Sequence, residues 1–144
     1  MLIGDPPVAY VDGGLGYNNP VRPLVEEAKR IWPSREIGCI ASIGTGFPKF
    51  RVVGRSLLPL IGTLKAIATD TENTARDFRN EHLITFGIDQ KVYFRFNVNR
   101  GLEDVGLEEV KEVPIIQQAA QNYATNKWDE ILACASQLHM IAGM

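Results

Sequence analysis

The run Glu36-Ile37-Gly38-Cys39-Ile40-Ala41-Ser42-Ile43 constrains this chain most. After Glu36 every residue is apolar or small, and the run ends at Gly44-Thr45-Gly46. A strand with one wet face alternates polar and apolar residues. A nearly unbroken apolar run is what a strand covered on both faces needs, as in a parallel sheet. Such a strand requires neighbouring strands on both sides and helices above and below.

The flanking sequence supplies those helices. Val8 to Val11 reads as a short strand that stops at Asp12-Gly13-Gly14. Asn18-Asn19-Pro20 follows, and Asn before Pro is a good helix start. The spacing predicts a helix from Pro20 to Ile31, with Val21, Leu24, Val25, Ala28 and Ile31 facing inward and Pro33 ending it. Ser56 opens a longer helical pattern with an apolar stripe of Leu57, Leu60, Ile61, Leu64, Ile67 and Ala68. The pattern continues more weakly through Thr71, Ala75 and Phe78 toward Leu83. Val92 to Val98 is the clearest strand: Val92, Phe94, Phe96 and Val98 alternate with Tyr93, Arg95 and Asn97. Two helices close the chain. One runs from Pro114 through Tyr123, with Ile115, Ile116, Ala119, Ala120 and Tyr123 inward. The other runs from Lys127 to Ile141, with Trp128, Ile131, Leu132, Ala135 and Leu138 inward.

Strands that alternate with helices, followed by terminal helices, predict an α/β fold: a partial, mostly parallel sheet flanked by helices. Three strands are few for so many helices, so the sheet is expected to extend into sequence not present here. At 144 residues the chain is one domain or a piece of one. An apolar fraction of 45% and a charged fraction of 22% are those of a globular protein. Fifteen basic against seventeen acidic residues give a net charge of −2, without the basic stripe of a nucleic-acid binder. Cys39 and Cys134 lie in apolar stretches without Cys-x-x-Cys spacing and are expected to be buried reduced thiols. His82 and His139 are far apart and complete neither a metal site nor a Ser-His-Asp triad. No apolar run approaches the ~20 residues of a membrane span, and no signal peptide opens the chain, so a cytoplasmic location is expected.

Chemistry concentrates in Asp12-Gly13-Gly14-Leu15-Gly16-Tyr17-Asn18-Asn19-Pro20. In an α/β sheet, ligands gather at the carboxyl ends of strands. An acid there, followed by glycines, lets a second chain segment or a substrate approach closely. A simple Asp-Gly turn is one alternative. Phosphate binding is another, but the third glycine of a dinucleotide fingerprint would fall on Asn19, and the expected acid after the next strand is replaced by Ile43-Gly44-Thr45. Ser42 lacks the upstream glycine of a nucleophile elbow, since Ile40 stands there, and reads as a small buried strand residue.

Taken in order, Tyr10-Val11-Asp12-Gly13-Gly14, Asn18-Asn19-Pro20, Glu27-Ala28 and Ile40-Ala41-Ser42-Ile43-Gly44-Thr45-Gly46 resemble the second half of a patatin-like phospholipase domain. The match is dense from Val8 to Gly46, looser through Tyr93-Phe94-Arg95-Phe96-Asn97, and weak beyond Pro114. The resemblance implies a three-layer α/β/α domain of which residues 1–144 form the C-terminal portion. It implies hydrolysis of phospholipid or other acyl-lipid esters by a Ser–Asp dyad, with Asp12 catalytic and Gly13, Gly14, Asn19 and Pro20 supporting it. It implies no cofactor or metal, no nucleic acid and contact with membranes from the periphery. The nucleophilic serine and the oxyanion loop of such a domain lie upstream of the aspartate. Neither occurs in this sequence, so the missing N-terminal half would supply them and the chain alone is expected to be inactive. Two other readings stand beside it: a noncatalytic interaction module on the same scaffold, and a nucleotide-binding α/β domain.

Overall fold

The first long helix is set by its own ends. In the computed structural model, which describes residues 2–9, 17–46, 70–102 and 110–142, α1 spans Val21–Ile31. It starts one residue later than expected: Pro20 occupies the N-cap position, and its carbonyl accepts from the Leu24 N–H at 3.0 Å. Pro23 is tolerated because an N–H in the first turn has no helical partner anyway. Lys29 and Arg30 in the last turn complement the negative end of the helix dipole. The Trp32 N–H bonds to the Ala28 carbonyl, and Pro33 follows.

Before α1, two short strands, β1 (Leu2–Ile3) and β2 (Val8–Ala9), pair antiparallel. The expected first strand is thus seen over Val8–Ala9 in a hairpin; its continuation through Tyr10 and Val11 lies outside the described residues. β3 (Ile40–Ile43) and β4 (Tyr93–Phe96) pair in parallel, with Ile40 opposite Tyr93 and Ile43 opposite Phe96. The fold class is α/β with a small parallel sheet. β3 is shorter than the predicted strand, and it is not covered on both faces: Ile40 is buried, but Ile43 is 79% exposed. Among the described residues β3 has one neighbour, β4, and its other edge is open.

Between the strands lies α2, helical over residues 70–85. Its middle, Phe78–His82, is a π-helical turn. In a regular α-helix, residues five apart point in different directions. The wider turn brings Phe78 and Leu83 onto one face, and both are essentially fully buried. The helix ends in a Schellman motif. Gly87 takes a positive φ of 65°, its N–H bonds to the Ile84 carbonyl at 3.0 Å, and the Ile88 N–H bonds to the Leu83 carbonyl at 2.8 Å. Ile88 and Leu83 then meet in the core, the apolar contact that accompanies this motif.

That core joins Val21 and Val25 of α1, Ile40 of β3, Phe78 and Leu83 of α2, and Ile88, Val92 and Tyr93 at the entry to β4. Phe78 meets Tyr93 edge to face, with ring centroids 5.1 Å apart. Lys29 donates to the Phe86 carbonyl and lies over its ring, fastening the end of α1 to the end of α2.

The last two helices, α3 (Val113–Asn126) and α4 (Trp128–Ala142), lie where predicted, α3 running three residues past Tyr123, but only part of each predicted face is covered. On α3, Ala119 is buried and Tyr123 half-buried, whereas Ile115, Ile116 and Ala120 are exposed. On α4 the inward residues are Ile131, Cys134 and Gln137, and the predicted Trp128, Leu132, Ala135 and Leu138 are exposed. On α1, Leu24 and Ile31 are likewise exposed. These helices carry more apolar surface than the described elements cover. The covered stripe is therefore chosen by docking contacts: Gln137 donates to the Gly38 carbonyl at 3.1 Å, and Tyr123 accepts at its hydroxyl from the Asn97 N–H at 3.1 Å. No helix among the described residues is long and apolar enough to cross a membrane.

The same docking brings the Cys134 thiol against that of Cys39. Both are free; Cys134 is buried and Cys39 only half-buried, a partial correction to the expectation of two buried thiols. Burial, aided by the charge and hydrogen bond of Cys134, pushes Cys39 up to about 11. A raised pKa in the folded state means that stability is fully present below the unfolded value near 9 and falls as pH rises toward 11. Urea midpoints should therefore decline between those pH values, and the decline should be shallower in Cys39→Ala. At neutral pH, iodoacetamide should label Cys39 more slowly in the native protein than in the urea-unfolded chain. Truncation of the fully buried Leu83 to Ala should cost about 2–5 kcal/mol of unfolding free energy.

Candidate functional site

The carboxyl ends of β3 and β4 meet a chain of polar side chains. Glu72, in the first described turn of α2, accepts at Oε1 from Arg95 Nη2 at 2.6 Å and from Asn97 Nδ2 at 2.9 Å. Arg95 Nη1 donates to Ser42 Oγ at 3.1 Å, and Ser42 Oγ donates to Asn19 Oδ1 at 3.5 Å. Asn19 Nδ2 closes the chain on the Thr71 carbonyl at 3.2 Å, beside a 2.6 Å bond from Asn18 Nδ2 to Thr71 Oγ1.

Local sequence explains how these groups arrive. Alternation along β4 sends Phe94 and Phe96 to one face, where their rings lie parallel with centroids 6.4 Å apart. Tyr93, Arg95 and Asn97 go to the other face, toward α2. Both faces of this strand are at least partly buried, so its polar side chains pack against the helix and are not left in solvent. Parallel register puts Ser42 directly opposite Arg95. The glycines after β3 make room. A side chain at Gly44 would meet the Asn97 amide and, at 2.8 Å, Arg95 Nη2. Gly46 takes a positive φ of 92°, and its N–H donates to Asn97 Oδ1 at 2.7 Å.

Arg95 and Glu72 form a desolvated ion pair, with side chains 10% and 33% exposed. Tyr93 is also buried, and that burial pushes its phenol pKa up, with the Arg95 charge opposing. Among the described residues no group of three or more His, Cys, Asp or Glu is placed to hold a metal ion.

The predicted site residues fare unequally. Asp12, Gly13 and Gly14 lie outside the described residues, as does the stretch from Leu57 to Ala68. Asn19 is buried, and besides accepting from the Val21 N–H at 3.4 Å it joins α1, β3 and α2. It is a tertiary bridge more than a helix cap. Pro20 is exposed at the helix start. Ser42 is not simply a small packing residue: it is half-buried, with its hydroxyl bonded on both sides. Glu72, Arg95 and Asn97 were missed. Their signal was Arg and Asn at alternate positions of the most clearly alternating strand, on the face that carries no aliphatic side chain.

Over 89 residues the chain is 36% identical to the calcium-independent phospholipase A2-gamma of Mus musculus. It is 34% identical over the same length to the enzymes of that name from Oryctolagus cuniculus and Homo sapiens. The matched stretch is 61% of this chain and 11% of each of those proteins, so the chain spans only a small part of its curated relatives. No family model matches the chain, and no solved structure does.

Removal of one member of a desolvated ion pair leaves the other charge uncompensated. Glu72→Ala should lower unfolding free energy by about 2–4 kcal/mol, below the ~3–5 kcal/mol of a fully buried pair because Glu72 is one-third exposed. Denaturant melts of the two proteins measure it directly.

Proposed function

We propose that residues 1–144 are the C-terminal portion of a patatin-like domain and that the chain supplies the aspartate of a Ser–Asp dyad for lipid acyl hydrolysis. The observation that carries this reading is the 34–36% identity over 89 residues to calcium-independent phospholipase A2-gamma. The ordered motifs from Asp12-Gly13-Gly14 to Gly44-Thr45-Gly46 support it. So does the meeting of Asn19 with the carboxyl end of β3, the side of an α/β sheet on which active sites are built.

In this reading Asp12 is the general base. Its carboxylate takes the proton of a serine hydroxyl as the oxygen attacks the acyl carbonyl. The proton then passes to the departing alcohol, a lysophospholipid or related fragment. Water, deprotonated by the same carboxylate, releases the fatty acid and restores the serine. Gly13 and Gly14 allow the close approach, while Asn19 and Pro20 anchor the helix behind the loop. The serine and the donors for the oxyanion belong to polypeptide upstream of this chain. The substrates are phospholipids or other acyl lipids of the phospholipase A and lysophospholipase type, met at a membrane surface by a cytoplasmic protein, with no cofactor required.

Asp12→Asn in the complete protein should lower ester turnover at least ~10²-fold, the lower range for lost acid–base assistance, with circular dichroism unchanged. The isolated chain should hydrolyse no ester. Full turnover in the Asn variant removes Asp12 from the mechanism, and serine-inhibitor-sensitive turnover by the isolated chain contradicts the division of the dyad.

A further inference from the structure

The chain has two cysteines, and the fold brings them to one contact. Cys39 stands at the entry to β3, and Cys134 lies in the middle of α4. The contact that joins these elements is independent of sulfur: Gln137 Nε2 donates to the Gly38 carbonyl at 3.1 Å, across 99 positions of sequence. Gln137 is one turn beyond Cys134 on the same side of its helix, and Gly38 directly precedes Cys39, so this bond sets the two thiols against each other. The thiols share a hydrogen bond. Among the described residues no group of three or more His, Cys, Asp or Glu gathers, so the pair has no third ligand there for a metal ion.

The two thiols differ in access. Cys134 is buried at 5% exposure, whereas Cys39 is only half-buried. A reagent from solution therefore meets Cys39 first, with Cys134 behind it. A reachable thiol backed by a second one is the arrangement in which a first oxidation product is resolved to a disulfide. Elsewhere α4 is thinly covered: Trp128, Leu132, Leu138 and Met140 are all exposed. The Cys39–Cys134 contact is thus where a covalent tie adds most to the hold on this helix.

We propose that Cys39 and Cys134 form a reversible disulfide that latches α4 to the entry of β3 when the chain meets a low-molecular-weight disulfide such as oxidised glutathione. The Cys39 thiolate attacks one sulfur of the oxidant and expels the other as a thiolate, which leaves a mixed disulfide on Cys39. Cys134 loses its proton, attacks the Cys39 sulfur and expels the second small thiolate. The two cysteines lose two electrons and two protons; the oxidant gains both and leaves as two thiols. The raised pKa of Cys39 leaves little thiolate at neutral pH, so the first attack is slow. That limits the rate and not the equilibrium, which the proximity of the two sulfurs favours. A bond that closes so long a loop removes freedom from the unfolded chain, so the oxidised protein is the more stable one. The pair does not depend on the hydrolase reading.

Native chain incubated to constant composition in glutathione mixtures of increasing oxidised fraction, then quenched in acid and mapped by mass spectrometry, reads the step. The expected product is a Cys39–Cys134 disulfide within one chain, free of bound glutathione and reversed by dithiothreitol. Its urea midpoint should lie above that of the reduced protein. In Cys134→Ser the mixed disulfide should form on Cys39 and persist. Two free thiols in oxidised glutathione alone overturn the proposal. So do glutathione retained on Cys39 of the wild-type chain, disulfides formed only between chains, or a Cys134→Ser protein that takes up no glutathione. A urea midpoint lowered by oxidation overturns it as well, because the bond then forms only by distorting the native contact. If Cys134→Ser does not fold, the wild-type mapping and midpoint decide by themselves.

Discussion

One carboxylate organises the carboxyl end of the parallel sheet. Glu72 reaches from α2 to Arg95 and Asn97, two residues on the same face of β4, and fixes the helix against the strand at a set height. A desolvated guanidinium is tolerable only beside an opposite charge. Ser42 occupies another of its donors, which ties β3 into the same arrangement, and Asn19 carries the chain on to α1. The register of β3 on β4 and the placement of two helices thus share a single electrostatic requirement. Apolar packing alone would tolerate small slips between these elements; a directional ion pair in contact with a strand-end glycine does not.

Apolar packing provides the other half of the arrangement. The π turn in α2 is a local departure from helical regularity that aligns Phe78 with Leu83, and the Schellman ending folds Ile88 back onto Leu83. Together they turn the chain from helix to β4 while keeping the core continuous. Tyr93 belongs to both halves. Its ring packs on Phe78 in the core, and its buried hydroxyl lies toward Ser42 and the polar chain.

Legibility differed by element for physical reasons. α1, β3, β4, α3 and α4 were readable because periodicity, proline and capping residues act within a few positions of each other. The faces of α3 and α4 were not. Their sequences are apolar on more than one side, and period alone cannot say which side is covered: Cys134 is buried while Trp128 stays 57% exposed. Coverage of β3 was overestimated because an apolar run reports what a strand can accept, whereas actual cover depends on which strands lie beside it. The site was legible only in part. Asn19 was singled out as a cap, a local role, and its long-range bonds to Thr71 and Ser42 have no local signature.

By itself the sequence determined an α/β chain with a buried-type strand ending in glycines, an asparagine–proline helix start, and an ordered set of motifs like those of lipid acyl hydrolases. These are properties of neighbours along the chain, set by backbone sterics and side-chain period. Only the tertiary structure decided that Glu72, Arg95, Ser42 and Asn19 form one network. Directly bonded partners among them lie up to 53 positions apart, as Ser42 and Arg95 do. Their meeting follows from parallel pairing and from the cost of a buried charge without a partner, and neither can be computed from local spacing.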